Sequence, residues 1–441
     1  MIMLKSSYYN HVTVIGDPEK AVLFNKFWGS IALVDRSTVD ALAAGDVEAL
    51  PAARVAELEK SGFLVPADMD EKAAARERYV QSKANSALLA ITVELTQECN
   101  LACAFCYQNS YRSAGAITTE AIQRICRYIN AVISEKRRPI TDLSLRFIGG
   151  EPLMQKKKIL EAVTEIRALT GRLGVVLHVQ IDTNGLLLDE TVVREMDAIS
   201  ITLTNKGDHD TVRVRHNGAG SYDQIVKRIK RHADHFNDYG TVLAIRYNVN
   251  AMNARHAADV YRLTKSLGVR HVEFDLYNTV NYDYNILVPT LTREQFKKLY
   301  MDIVRLKMEH GDIVRDFPRP TFAPCTAYTP YNLKVTADGQ LALCDAMHSP
   351  ISSLDELMGD VGRHVEIFAE TAAHNPFDDP QCGSCTNVGI CGGKLFCKSN
   401  PHTDDNDPCD FLPFDMDEFL RFFATAYPKM PERFDLGGVA D

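Results

Sequence analysis

The 441-residue chain has no excess of basic charge: 49 Lys and Arg stand against 58 Asp and Glu, a formal net charge of −9. Nucleic-acid binders usually carry a basic footprint, so the balance argues against that class. The short basic runs, Lys156-Lys157-Lys158 and Arg137-Arg138, lie beside helical patterns and read as solvated faces. No apolar run reaches the roughly 20 residues that a membrane span needs. Residues 1–30 lack the apolar stretch and cleavage site of a secretory signal. Neither an internal repeat nor a low-complexity tract is present. The expectation is a soluble, cytoplasmic protein with no nucleic-acid or membrane partner, long enough for about three domains.

Cysteine, by contrast, is plentiful, with eleven residues. A reducing cytosol disfavours disulfides, so thiols in blocks read better as metal ligands. Ten of them fall in two blocks, 99–106 and 325–409. The eleventh, Cys126, recurs with Ile122, Ile125, Ile129, Val132 and Ile133 at helical spacing and reads as a small buried hydrophobe. The first block, Cys99, Cys103 and Cys106 in CNLACAFCYQ, follows the strand-like run Ile91-Thr92-Val93-Glu94-Leu95. Three thiolates on a cubic 4Fe–4S cluster leave one of the four irons without a protein ligand, open for chemistry. A zinc knot would need a fourth Cys or His nearby, and none lies between Cys106 and Cys126. Three unrelated buried cysteines are the remaining alternative.

From residue 91 to about 290, short apolar runs alternate with amphipathic segments. Candidate strands are 91–95, 143–148, 175–182, 198–204, 242–249 and 271–277; candidate helices are 119–135, 156–170, 188–195, 221–236 and 254–267. Such alternation implies parallel strands joined by right-handed crossovers. Six units suit an α/β fold, a partial (β/α)6 barrel whose functional groups gather at the carboxyl ends of the strands. The second strand ends in Gly149-Gly150-Glu151-Pro152, where the glycines permit close backbone approach and the carboxylate can accept bonds from an ammonium.

Cys-x3-Cys-x2-Cys after the first strand, with Gly-Gly-Glu-Pro after the second, resembles the radical S-adenosylmethionine (SAM) superfamily. The resemblance implies that SAM binds the open iron, with its methionyl amine held at Gly149, Gly150, Glu151 and Pro152. It implies that one electron then cleaves SAM to a 5'-deoxyadenosyl radical. Further cofactor-binding positions follow by the same resemblance: Phe105 and Tyr107 beside the adenine, Asn184 in DTNGL and Thr202 on the fourth strand. Arg213, within a His-Asp-x-x-Arg and Gly-Ser stretch, and Asn248 on the fifth strand complete the set. For each of the last four, a structural role is an equal alternative; Asn184-Gly185 is also a common turn pair.

The second block runs Cys325, thirteen residues, Gly339, four residues, Cys344, and then Cys382-x2-Cys385-x5-Cys391-x5-Cys397 and Cys409. This resembles the SPASM domain, a loop-rich extension with two auxiliary 4Fe–4S clusters, so the chain is expected to hold three clusters in all. The match departs at one interval, since five residues separate Cys391 from Cys397 where the family has three. The resemblance assigns Cys325, Cys344 and Cys397 to the nearer auxiliary cluster. Cys382, Cys385, Cys391 and Cys409 go to the distal one. The nearer cluster is thus left with an open iron or a non-Cys ligand. Zinc on Cys382, Cys385, Cys391 and Cys409 is the alternative, though it leaves Cys325 and Cys344 unexplained. Asp345, next to Cys344, is the candidate catalytic base by resemblance to sulfatase-maturing relatives; a surface turn is its plain alternative. Tyr328 and Tyr331 either line a substrate channel or pack.

Residues 1–67 read as a β-hairpin around Gly16-Asp17-Pro18, helices near 37–44 and 51–61, and a short strand at 63–66. This resembles the small winged-helix module with which peptide maturases capture a precursor's leader, by adding it as a strand to an exposed edge. A structural cap is the alternative. The expected organisation continues with a linker helix at 68–90, the radical SAM core at 91–290 and a bridging helix in 291–324. The SPASM domain at 325–410 and a C-terminal helix or tail at 411–441 follow. Thr292 and Gln295 form a capping box for the bridging helix, which Gly311 stops.

Together the resemblances imply a radical SAM/SPASM peptide maturase. It would abstract a hydrogen from a ribosomally made precursor peptide and install an intramolecular thioether or carbon–carbon cross-link. A low-potential donor such as flavodoxin or ferredoxin would supply the electron. Two alternatives stay open: a sulfatase-maturase-like oxidation of a protein Cys or Ser, and a non-catalytic iron–sulfur carrier or peptide-binding protein.

Overall fold

The computed structural model describes residues 3–84, 87–104, 106, 108, 115–134, 140–278, 289–329, 331–344, 350–359, 373–393 and 412–435. It divides into two compact units: Met1–Asn85 with Arg293–Cys325 and His374–Asp441, and Ser86–Thr292 with Thr326–Ala373. The units do not follow the linear order of segments. The N-terminal module, the bridging helix and the cysteines at 382–391 share one unit, while Cys344 lies in the other.

In the first unit, β1 (Leu4–Ser6) pairs antiparallel with β5 (Leu64–Pro66). A three-stranded antiparallel sheet comprises β2 (Asn10–Val14), β3 (Lys20–Asn25) and β4 (Ile31–Asp35), with β3 in the centre. The β2–β3 hairpin turns where Gly16-Asp17-Pro18 places it. Strand β3 reads as a continuous apolar run rather than an alternating one because both of its faces are covered. Ala21 and Leu23 pack with Val39, Leu42, Leu58 and Phe63 from the helices Arg36–Ala44 and Ala52–Lys60 and their flanks. Val22 and Phe24 pack on the opposite face with Phe317, Phe414, Phe419 and Phe423. Phe24 meets Phe317 edge-on, with ring centroids 5.5 Å apart, and the last two phenylalanines belong to the helix Met416–Ala426.

The helix Glu71–Ala84 looks charged and linker-like in sequence, yet Ala75 and Tyr79 are buried with Tyr9, Phe27, Phe322 and Val388. Its first residue, Glu71, accepts bonds from Ser7 Oγ at 2.5 Å and from the Tyr8 N–H at 2.8 Å. The bridging helix, Arg293–Glu309, ends before Gly311, whose φ of 88° only glycine adopts readily.

The second unit holds six parallel strands in chain order. They are β6 (Leu88–Glu94), β7 (Asp142–Ile148), β8 (Val176–Thr183), β9 (Ala198–Thr202), β10 (Val242–Val249) and β11 (Val272–Asn278). All six expected strands are present, and among the described residues β11 does not pair with β6, which gives an open, partial barrel. Strand β6 begins at Leu88 rather than at residue 91, since Leu88 and Leu89 already pair with Asp142 and Leu143 of β7. The helical stretch expected over 221–236 divides into Tyr222–Arg231 and Ala233–Tyr239. At the junction the His232 N–H is shared between the Arg228 and Ile229 carbonyls.

Side chains alternate across the sheet. Leu143, Leu145, Ile199, Ile201, Leu243, Ile245 and Tyr247 are buried on one face. Arg146, Asp182, Thr202, Arg246 and Asn248 are half-buried on the other. There Asp182 bridges Arg146 and Arg246, the latter at 3.0 Å.

A further strand, β12 (Asn332–Val335), joins β6 in parallel, and β13 (Gln340–Ala342) and β14 (Ser352–Ser353) extend the sheet antiparallel. Lys334 of β12 pairs with Glu94 of β6 at 3.2 Å, both essentially fully buried. Gln97 donates to the other oxygen of Glu94 at 2.9 Å. Among the described residues no helix is long and apolar enough to cross a membrane.

Because β3 is covered on both faces, Phe24→Ala is expected to destabilise the first unit by about 3–5 kcal/mol. Denaturant unfolding of the variant against wild type measures this. Loss of residues 1–67 is expected to expose Phe317 and Phe419 and make the remainder aggregate, which light scattering detects.

Candidate active site

The first cysteine loop leaves the carboxyl end of β6, where parallel-barrel sites form. Two supports fix it. On one side, Ala102 and Ala104 donate their N–H groups to the Val214 and Val212 carbonyls at 2.7 and 2.9 Å, and Leu101 bridges Arg215. On the other side, Gly150 and Glu151 donate to the Thr96 and Glu98 carbonyls at 2.7 and 2.8 Å. A Cβ at Gly149 would lie 2.5 Å from Thr96 O, and one at Gly150 would lie 2.2 Å from Glu98 O. Both glycines are therefore required by the chain that leads into Cys99. Within the loop, the Cys106 N–H returns to the Cys103 carbonyl. The Cys99 Sγ receives the Leu101 N–H at 3.4 Å and the Asn184 side-chain amide at 3.8 Å. His216 Nε2 donates to the Cys99 carbonyl at 2.8 Å.

Glu151 and Asn184 are the hub. The Glu151 side chain is fully buried, and its carboxylate accepts from Leu153 N at 3.0 Å, Thr183 Oγ1 at 2.6 Å and Asn184 N at 2.8 Å. Burial pushes its carboxyl up, and those three bonds and the charge of Arg213 oppose the shift. Asn184 also donates to Asn100 Oδ1 at 2.6 Å, so one side chain spans the end of β8 and the cysteine loop. Gly149, Gly150, Glu151, Asn184, Arg213 and Cys99 are thus brought together.

Thr202 and Asn248 lie on the half-buried face at β9 and β10, where Thr202 stands in register with Arg246. The Asn248 carbonyl accepts from Asn253 Nδ2. Among the described residues neither side chain bonds to that group. Phe105, Tyr107, Asp345, Cys397 and Cys409 lie outside the described residues.

A buried relay behind Arg213 escaped the sequence reading. The Thr204 N–H donates to His209 Nδ1, His209 Nε2 donates to Ser221 Oγ at 3.1 Å, and the Ser221 hydroxyl donates to the Arg213 carbonyl at 2.8 Å. Asp210 accepts from the Ser221 and Tyr222 N–H groups at 2.7 and 2.9 Å. The His-Asp-x-x-Arg and Gly-Ser stretch is therefore a scaffold that fixes Arg213 and the strand bracing the cysteine loop. Thr183, Asn100 and His216 were also missed. Their only sequence signal is adjacency to Asn184, Cys99 and the Arg213 stretch.

Residues 93–264 match the Radical SAM superfamily. The chain therefore carries a Radical SAM domain, and it is an enzyme. Its relatives include the cysteine-type anaerobic sulfatase-maturating enzyme of Clostridium perfringens, 23% identical, which covers 75% of this chain and 94% of the relative. The antilisterial bacteriocin subtilosin biosynthesis protein AlbA of Bacillus subtilis is 24% identical, over 68% of this chain and 66% of that protein. Among solved structures, Streptococcus suis SuiB bound to precursor peptide SuiA aligns with a TM-score of 0.51 at 13% identity, over 92% of this chain and 100% of that one. These relationships are those expected of a radical SAM/SPASM peptide maturase.

A Radical SAM domain implies one 4Fe–4S cluster and SAM. The first loop fits such a cluster: three thiols share one strand-end loop, and two N–H donors point at the Cys99 sulfur, as iron-bound thiolates favour. Among the described residues no three His, Cys, Asp or Glu side chains already stand at metal-ligand spacing. Cys126 is buried in the helix Thr119–Ser134, and burial, chiefly, raises its thiol to about 12, as befits a packed residue.

In the other unit, Cys382 and Cys391 lie in two short helical turns, Pro380–Gly383 and Val388–Cys391, and Cys385 lies between them. Asp379 caps the first by accepting from the Gln381 and Cys382 N–H groups, and the Asn387 N–H donates to Cys385 Sγ at 3.3 Å. Gly392 follows with φ 64°, and a Cβ there would stand 2.1 Å from Ala323 O. Together with the Phe322 N–H to Gly389 carbonyl bond, this lays the segment ending in Cys325 along the turn that carries Cys391. Cys344 closes the β13 end of the second unit.

His209 gives a pH test. Burial, and secondarily Arg213, lowers its pKa from 6.5 to about 3. Between those values the unfolded chain holds a proton that the folded chain does not. Its contribution to stability is complete above pH 6.5 and is lost as pH falls, at up to about 1.4 kcal/mol per pH unit. His209→Gln is expected to lower stability at pH 7.5 but to flatten its decline between pH 6.5 and 5. Thermal unfolding across that range measures both effects.

Proposed function

We propose that this enzyme is a peptide maturase that removes a hydrogen from a ribosomally made precursor and closes an intramolecular thioether or carbon–carbon link. The observation that carries the reading is strand β4. Among the described residues it pairs only with β3, and its Leu33 is half exposed to solvent. An extended leader can add to such an edge through main-chain hydrogen bonds, with Leu33 supplying an apolar contact. The likeness to SuiB, extending over 92% of this chain, is consistent with a fold that includes this module.

In this reading Cys99, Cys103 and Cys106 hold the cluster. The half-buried backbone of Gly149 and Gly150 receives the methionyl ammonium of SAM, with Glu151 and Pro152 fixing that turn. Asn184 locks the turn to Cys99, and Arg213 supplies a compensating charge. Thr202 and Asn248 line the barrel wall towards the nucleoside, and Phe105 and Tyr107 flank its adenine. Loaded with the cluster and SAM, the site supplies a 5'-deoxyadenosyl radical once a flavodoxin- or ferredoxin-like donor has delivered an electron. Cys325, Cys344 and Cys397, and Cys382, Cys385, Cys391 and Cys409, would hold two auxiliary clusters that would supply an acceptor for the surplus electron. Asp345 takes the proton.

The relation to the sulfatase-maturating enzyme, which spans 94% of that protein, favours a second reading: oxidation of a Cys or Ser on a protein. One experiment separates the two. The reduced, reconstituted enzyme is incubated with SAM and a peptide encoded beside its gene, and the products are followed by tandem mass spectrometry. A cross-link is expected to remove two hydrogens and suppress fragment ions between the joined residues. A hydrazine-reactive aldehyde would support the second reading, and no 5'-deoxyadenosine above background would sink both. Leu33→Pro is expected to weaken leader binding at least about tenfold, read by fluorescence anisotropy, while SAM cleavage without peptide persists.

A further inference from the structure

Lys26 lies one residue beyond β3, in the N-terminal module, and is only 6% exposed. Its ammonium donates to Thr386 Oγ1 at 2.7 Å and to Asn387 Oδ1 at 3.0 Å. These residues directly follow Cys385, and the Asn387 N–H donates to the Cys385 sulfur at 3.3 Å. Tyr8, from the same module, adds a hydroxyl bond to the Ser384 carbonyl at 2.5 Å. The turn that carries Cys382 and Cys385 is therefore held by two side chains more than 350 residues earlier in the chain.

Burying an ammonium is costly unless a countercharge faces it. Thr386 and Asn387 are neutral acceptors. Burial lowers the Lys26 pKa, and the charges that oppose this are Cys385 first and Asp417 second. Asp417 is already engaged by Thr13 at 2.6 Å and His11 at 2.8 Å. Thr386 and Asn387 hold the ammonium next to Cys385, and iron binding would make that sulfur a thiolate, a compensating charge for Lys26. A fixed cation beside an iron–sulfur thiolate favours the reduced, more negative cluster, and a hydrogen-bonded ligand residue holds the sulfur in place.

We propose that Lys26 is a positioning residue for an iron–sulfur cluster bound by Cys382, Cys385 and Cys391: it orients Asn387 towards Cys385, and its charge raises the cluster's reduction potential. The proposal rests on the reading of this loop as an auxiliary cluster site. It makes the N-terminal module part of the electron-accepting apparatus, and not solely a peptide-capture surface.

The test uses the full-length chain with Cys99, Cys103 and Cys106 replaced by Ala, so that iron reports the second cysteine block alone. Iron and sulfide content, and the midpoint potential from an EPR-monitored redox titration, are measured for this parent and for added Lys26→Gln or Lys26→Arg. The expected result is a more negative midpoint for K26Q at unchanged iron content, with K26R close to the parent. Loss of iron in K26Q alone, with K26R retaining it, also supports the charge requirement. Equal midpoints in all three proteins overturn the proposal, as does equal iron loss in both variants, which would mark a packing role. A parent that binds no iron overturns the auxiliary-cluster reading itself, an outcome distinct from either of these.

Discussion

The burial of the Glu151 carboxylate is the constraint around which the radical SAM site is arranged. A charge removed from water is tolerated only where donors surround it. Here three donors come from two places: Leu153 in the turn after β7, and Thr183 and Asn184 at the end of β8. The carboxylate therefore fastens two neighbouring strand ends together. Asn184, held at its backbone by Glu151, is left with a side chain that reaches Asn100 and the Cys99 sulfur. The geometry of the cysteine loop is thus set by a residue that the loop does not contain. Arg213 contributes in the same sense, because its charge partly offsets the burial of Glu151, while the His209–Ser221 relay fixes its own backbone.

The two units solve a common problem by different means. In the parallel sheet, one face is apolar under the helices and the other carries Arg146, Asp182 and Arg246, so the open barrel presents a polar wall. The edge at β6 is covered by β12, with the Lys334–Glu94 pair buried between them. An ion pair so deep is weak evidence for stability, since desolvation offsets much of its attraction. Its placement two residues before Thr96, in the run that leads to Cys99, makes registry of β12 against β6 the better account of why it is there. In the first unit the edge strand β4 is left open, while β3 is sandwiched between two aromatic and aliphatic layers.

Much of this was legible in the sequence because local patterns carry it. Alternation and crossover length place all six parallel strands, and the glycines at 149 and 150 mark a close approach. What they approach, however, is the chain at Thr96 and Glu98, and nothing local encodes that. The early start of β6 escaped for the same reason. Leu88 to Ala90 lack a strong strand pattern and become strand by pairing with β7 and, at Ala90, with Asn332 of β12, more than 240 residues away. Lys26 reads as an ordinary surface lysine beside an apolar run. Only the folded chain shows that Thr386 and Asn387 enclose it.

The distribution of the second cysteine block sharpens what the enzyme must coordinate. Cys325, Cys382, Cys385 and Cys391 belong to the unit that also contains the open edge β4, whereas the cysteines of the first loop and Cys344 belong to the barrel unit. The proposed leader-capture edge and the cysteine turns at 382–391 thus share one folded body. Its core, centred on β3, is continuous from the N-terminal sheet to the helix Met416–Ala426. A leader that stiffened β4 would act on β3, which ends one residue before Lys26. In a densely packed interior, strain at one face is transmitted rather than absorbed. On this architecture the N-terminal sheet is a structural component of the unit that carries Cys382, Cys385 and Cys391, so removing it cannot be a neutral trimming of a recognition tag.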